Sequence, residues 1–165
     1  MISEPSGAAW LVGIETSSIA RAMREWLWLY PIVEIAHITG FVVLVGATAM
    51  FDLRLLGLSR HVPVTDFARH LLPWSVSALA LVVPAGLLMF SAHATEFAQN
   101  PAFLLKLSLI ALAGVNAAGF HLGPYRSVAN WNRELAAPAN AKISALFSLG
   151  LWLGVISCGR LLAYL

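Results

Sequence analysis

Four stretches of this chain are too long and too apolar for a soluble fold, at roughly 26–57, 71–93, 102–121 and 143–164. Each approaches or exceeds the ~20 residues that an α-helix needs to cross about 30 Å of hydrocarbon. Composition agrees, with 59% hydrophobic and 11% charged residues and a mean hydropathy of +0.80, against about 25% charged residues in a soluble domain. The sequence therefore predicts an all-α, integral membrane four-helix bundle that takes up residues 1–165 as a single transmembrane domain. Little chain is left for anything else.

Ahead of the first span, Trp10, Ile14, Ile19, Met23 and Trp26 recur near the helical repeat, with Glu15, Arg21 and Arg24 elsewhere around the wheel. This pattern predicts an amphipathic helix over about 8–24 lying in the membrane interface. Packing against the outer mouth of the bundle is the alternative, and the two are compatible. Glu4, Glu15 and Glu25 interrupt the stretch, so no cleaved secretory signal is expected. Pro73 is expected in the first turn of the second span and Pro84 in its middle, as a kink. Gly150 and Gly154 place a GxxxG face on the fourth span, suited to close packing within the bundle.

Several function classes drop out. Cys158 is the only cysteine, which removes internal disulfides, CxxC redox chemistry and cysteine-clustered zinc. A net charge of +2 without a basic tract gives no reason to expect nucleic acid. No phosphate loop, nucleotide fingerprint or nucleophile constellation is present.

Ionisable residues inside the spans are the informative ones, because charge in hydrocarbon is costly and its presence marks function. Glu34 and His37 share a helix face in the first span. Taking position 63 as the middle of the first connection puts His37 and His93 within ~6 Å of one depth. Glu34, Glu96, Lys106 and Arg160 fall in the same half of the membrane. One reading is a single b-type haem with His37 and His93 as axial ligands, Gly40 and Gly86 giving the flat ring room, and Lys106 and Arg160 meeting its propionates. Phe41, Met89 and Phe90 would suit the walls. His121 is the reserve ligand.

A second reading uses the same residues differently. Glu34 and His37 with His93 and Glu96 form two carboxylate–histidine pairs that could take zinc, iron or manganese. The third is structural, with no cofactor at all: Glu34 paired to Arg160 or Lys106, and the histidines hydrogen-bonded inside the bundle. At the other end, Asp52 and Arg54 stand too close in sequence to face each other on a helix. Each needs a partner from elsewhere, such as Arg126 or Arg133 for Asp52, and the pair reads as a helix-end anchor.

The phrases "WLYPIVEIAHITG", "DLRLLGL", "LLPW", "NPAFLLK" and "GRLLAYL" resemble those of a widespread family of small bacterial inner-membrane proteins with four helices. The similarity runs over nearly the whole chain from Trp10. It implies fold and location rather than chemistry. At the level of layout the chain is also similar to membrane cytochromes of the b561 type and to copper-resistance membrane domains, although its histidine spacing departs from a two-haem pattern.

These readings together lead to an expected electron-transfer role, in which a haem-bearing bundle links quinone to a periplasmic or membrane-bound oxidoreductase. The competing classes are a non-redox subunit of a larger complex and a small transporter whose buried glutamate carries protons. Lys and Arg collect in the connections after spans one and three, as Arg54, Arg60, Arg69, Arg126, Arg133 and Lys142, and are missing from "ATEFAQNP". The positive-inside bias then puts both termini in the periplasm of a bacterial inner membrane. Reporter fusions after Arg60 and after Pro138 should accordingly report cytoplasm and fusions after Asn100 periplasm. The reverse pattern would overturn this orientation.

Overall fold

The computed structural model describes residues 8–162 and 164, and all regular structure among them is helical. Seven α-helices run α1 (Ala9–Glu15), α2 (Ser18–Glu25), α3 (Leu29–Leu56), α4 (Val64–Ala92), α5 (Ala94–Gln99), α6 (Pro101–Leu122) and α7 (Ala139–Leu161), with a 3₁₀ helix at Pro124–Asn130. Of these, α3, α4, α6 and α7 are long and apolar enough to cross a membrane. Large apolar side chains such as Ile35, Val42, Val76, Leu105 and Leu153 cover their outward faces. The chain is a multi-pass membrane protein.

The N-terminal segment is two helices rather than one. Chain direction changes at Thr16 and Ser17, where the Ser17 hydroxyl caps α2 by accepting from the Ala20 N–H at 3.2 Å. Both helices pack on the bundle as well as facing outward. Arg24 donates to the Ala92 carbonyl at 2.8 Å and to the Glu15 carbonyl at 2.9 Å. The Glu15 carboxylate accepts from the Thr95 N–H at 3.1 Å and from its hydroxyl at 2.5 Å, joining α1 to α5. Trp10, Trp26 and Trp28 stay exposed at this level, where amphipathic aromatic rings favour the membrane interface.

The second spanning helix begins at Val64 rather than near Leu71, so Pro73 lies well inside it and the helix continues through both Pro73 and Pro84. Its first turns carry Asp66, Arg69 and His70, which hide the helix from a search for apolar runs. A hydrogen bond from the Val64 N–H to the Asn132 carbonyl at 2.9 Å and one from the Thr65 N–H to Asn132 Oδ1 at 3.0 Å tie this end down.

Packing order is what matters for function. α3 lies against α4 on one side and α7 on the other, α6 packs on α7, and α4 and α6 scarcely meet. The α3–α4 approach is close because Gly40 has no side chain. A Cβ there would stand 2.8 Å from Val82 Cγ2 and 3.4 Å from the Ala78 carbonyl oxygen. On the α6–α7 seam only one of the two GxxxG glycines is in close contact, Gly154 against Leu109, while Gly150 faces open space.

One end of the bundle is plugged. Leu55, Val64, Phe120, Trp131, Ala137, Ala141 and Ala145 form a continuous apolar core there. Beside it Arg54, 2% exposed, donates to the carbonyls of Val62 at 2.7 Å, Asn132 at 3.1 Å and Arg60 at 3.3 Å. Gly57 ends α3 in the left-handed region at φ 118°, turning the chain back so that these carbonyls reach the guanidinium. A single cation thus holds both the α3–α4 and the α6–α7 connections.

Two outcomes follow from these contacts. Arg54→Leu leaves the Val62 carbonyl without its donor and takes one of two donors from the Asn132 and Arg60 carbonyls, at about 1–3 kcal/mol for the stranded group, so the unfolding temperature in detergent should fall, and Arg54→Lys, which lacks the fork, should restore it only in part. Glu15 is held below the ordinary carboxyl range first by the Thr95 hydroxyl and also by the Thr95 N–H and Arg24. A lowered value in the folded state means its contribution is present at neutral pH and is lost as pH falls through the acid range. The protection factors of the α1 amides, corrected for the intrinsic pH dependence of exchange, should therefore fall in acid, and Glu15→Gln should flatten that dependence.

Candidate functional site

The outer polar residues are not gathered as their spacing suggested. His37 sits against Gly86, where a Cβ would lie 3.0 Å from His37 Cε1. Its Nδ1–H donates to the Val82 carbonyl at 3.0 Å, because a carbonyl only accepts, which leaves Nε2 with the lone pair. His93 lies seven residues beyond Gly86, roughly 10 Å further along the axis, at the end of α4. There it is 45% exposed and pairs with Glu96 at 3.8 Å. The depth match fails because the α3–α4 hairpin is centred near residue 60 rather than 63, which moves His93 outward.

A haem liganded by His37 and His93 does not fit this arrangement. Space intended for a flat ring is filled, with Gly40 against Leu81 and Val82 and Gly86 against the His37 ring itself. Lys106 points to α7, with its Nζ 3.8 Å from where a Gly159 Cβ would stand. Arg160 is exposed and taken by the Tyr164 hydroxyl and ring. His121, the reserve ligand, lies fifteen residues past Lys106 on α6, ~22 Å away along the axis.

The carboxylate–histidine metal site is likewise not assembled. Glu34 is exposed, and among the described residues no three His, Cys, Asp or Glu side chains come together as a metal centre. The structural alternative is met in part. His37 is hydrogen-bonded inside the bundle, but the ion pairs among the described residues are His93–Glu96 and Arg133–Glu134, so Glu34 bonds neither Arg160 nor Lys106.

A different site emerges at mid-bundle. The gap left between α4 and α6 opens into a cavity of about 360 Å3 lined by all four spanning helices. Leu44, Leu79, Ile110 and Trp152 line one end, and Asp52, Asn116, Ser144 and Ser148 line the end nearer the plug. From Leu44 to Leu55 its wall runs ~16 Å along α3. Size and lining match those of small-molecule pockets, mostly apolar with a few placed polar groups.

Asp52 dominates this cavity. It is 5% exposed, and its Oδ2 has no hydrogen-bond partner. Ser148 on α7 lines the cavity beside it. Neither Arg126 nor Arg133 pairs with it: both are exposed, and Arg133 donates to the His61 carbonyl at 3.2 Å. The other half of the expected anchor holds, since Arg54 organises the connections. Asn116 and Ser144 bind each other reciprocally, the amide N–H donating to the Ser144 carbonyl at 3.0 Å and the Ser144 hydroxyl to Asn116 Oδ1 at 3.0 Å. Their donors and acceptors are mostly used, while those of Asp52 are not.

Access is sideways. Ile110, Gly114, Ala117 and His121 form a stripe on α6 at helical spacing, facing Leu72, Val76 and Leu79 of α4 across the gap. Gly114 and Ala117 keep the mouth wide; a Cβ on Gly114 would meet nothing within 4 Å. His121 donates through Nδ1 to the Ala117 carbonyl at 2.8 Å, leaving its Nε2 with the lone pair. In the sequence Asp52 reads as part of a helix-end anchor, because Arg54, two residues on, cannot face it and a partner is expected from elsewhere. The signal that could have found it was the lone carboxylate inside an apolar run, with small and polar residues at matching depth on α6 and α7.

Fold and site together define a polytopic helical membrane protein with an interior, laterally open, amphiphilic cavity. No family model, no curated protein and no solved structure matches this chain.

Proposed function

We propose that this chain is a membrane-embedded binding protein that takes a small amphiphilic molecule from the bilayer into the cavity and holds its polar end at Asp52. The observation that carries the reading is a carboxyl 5% exposed with an unpartnered oxygen in a cavity of about 360 Å3. Buried polar groups are nearly always bonded, and an ionisable residue in a span faces a ligand, a partner or a wet interior. The plugged end closes the axial route, and the gap between α4 and α6 gives the lateral one. Charge asymmetry between the connections supports a bacterial inner membrane with both termini periplasmic, which puts Asp52 in the cytoplasmic half. Electron transfer through a haem held by His37 and His93 is not favoured, since the two rings lie at different depths. A quinone remains one member of the ligand class by size and amphiphilicity.

Bromonaphthalene, an apolar quencher, tests occupancy. In nanodiscs it should quench Trp152 saturably, with the saturable part missing in Trp152→Phe and removed by Gly114→Leu, whose Cβ meets nothing within 4 Å at the mouth. Quenching that rises linearly with partitioning, unchanged by either variant, would sink the proposal.

A further inference from the structure

Resting on the cavity reading, we infer that the ligand is a lipophilic organic cation, an ammonium with an aromatic or branched apolar body, that exchanges with a proton on Asp52. The argument starts from charge. Among the residues that line the cavity, the ionisable ones are Asp52 from α3 and His121 from α6; α4 and α7 contribute none. No lysine or arginine lines it, although the adjoining end of the bundle carries Arg54, Arg60, Arg126 and Arg133. Arg54 stands two residues from Asp52 and spends its guanidinium on the carbonyls of Val62, Asn132 and Arg60. The protein thus keeps its own cations away from the one buried carboxyl among the described residues.

A carboxylate in such surroundings is costly unless a cation meets it, so it carries a proton until one arrives. An anionic headgroup would find no counter-charge and would face Asp52. A neutral carbonyl compound would meet only the protonated acid and would gain nothing from ionising it. A cation turns the same carboxyl into an ion pair in a low-dielectric site. The walls suit it too: Phe51, Phe120 and Trp152 line the cavity, and aromatic faces attract organic cations. Phe120 is held edge-on to Phe51 at 5.7 Å, so these rings are placed before any ligand arrives.

The exchange balances simply. The Asp52 acid gives up its proton as the ammonium seats against Oδ2, and for each cation bound one proton leaves to water past the mouth at exposed His121. No bond other than O–H breaks, and no electron moves. Because proton and cation compete, acid weakens binding.

The discriminating pair of probes is benzyltrimethylammonium and its uncharged carbon analogue neopentylbenzene, which share a shape. Calorimetry on the full chain in nanodiscs, in two buffers of different ionisation enthalpy, should show about one proton released per benzyltrimethylammonium bound below neutral pH. Affinity should rise by about tenfold per pH unit while Asp52 is protonated. Asp52→Asn should remove both the proton release and the pH slope and weaken the cation at least about tenfold, while leaving neopentylbenzene binding and its lack of pH dependence as they were. His121→Gln should keep the slope, since that histidine lies at the mouth. Should Asp52→Asn fail to fold, proton counting on the wild type still decides. Equal binding of both probes at every pH overturns the cation inference and leaves the cavity reading standing; so does binding of a quinone that the ammonium does not displace. Failure of both probes to bind overturns the cavity reading as well.

Discussion

Everything at one end of this molecule hangs on Arg54. An arginine 2% exposed at the end of a membrane helix is expensive unless its N–H groups find acceptors, and here Nε and Nη2 donate to backbone carbonyls from two separate connections. The effect is to fix where α4 begins and where α7 is entered. Asn132 extends the same tie, accepting at its carbonyl from Arg54 and Val64 and bonding Thr65 twice through its amide. With both connections clamped, the apolar core beneath them can close without water entering along the bundle axis.

That closure gives the cavity its character. A four-helix arrangement in which every neighbour packs would leave no room inside. In this one α3 takes both α4 and α7 as partners, with the α3–α4 approach made close by Gly40, and α4 is thereby drawn away from α6. The remaining gap faces lipid rather than solvent. Lipid tails cost little to displace with another apolar body, so a laterally open cavity admits molecules that reach it from the bilayer and its headgroup layer. Small residues on α6 keep the entrance open, and the polar groups sit deepest at the plugged end.

The two polar layers of the bundle illustrate how context changes the meaning of an ionisable residue. In the half that carries α1, α2 and α5, Glu34, Glu96, His93 and Arg160 lie near helix ends and turn outward, where long or amphipathic side chains reach water or headgroups. His37 is interior but bonded to a backbone carbonyl. In the half next to the plug Asp52 has a short side chain and no route to the interface, so it cannot turn outward, and it keeps an unpartnered oxygen. Side-chain length and distance from the helix end separate the two cases.

How much of this was written in the chain itself can be argued residue by residue. The helical class and the membrane came from the apolar runs, because hydrocarbon admits so few solutions for a polar backbone that length and hydropathy suffice. Helix ends were less legible: the polar first turns of α4 hid its start at Val64, and Ser17 broke the N-terminal helix through a local cap that a periodicity reading passes over. Arg54 was readable as an anchor from its position. The depth of His93 was not, since an error of a few residues in the hairpin centre doubles on the partner strand of the sum. Nor was the cavity. Whether Asp52 faces a cation, a lipid or an empty space depends on which helices are neighbours, and that is set by packing at Gly40 and by hydrogen bonds between distant connections. A sequence states what each helix has on its faces; which faces meet, and which are left without a partner, is decided by the balance of all the contacts at once.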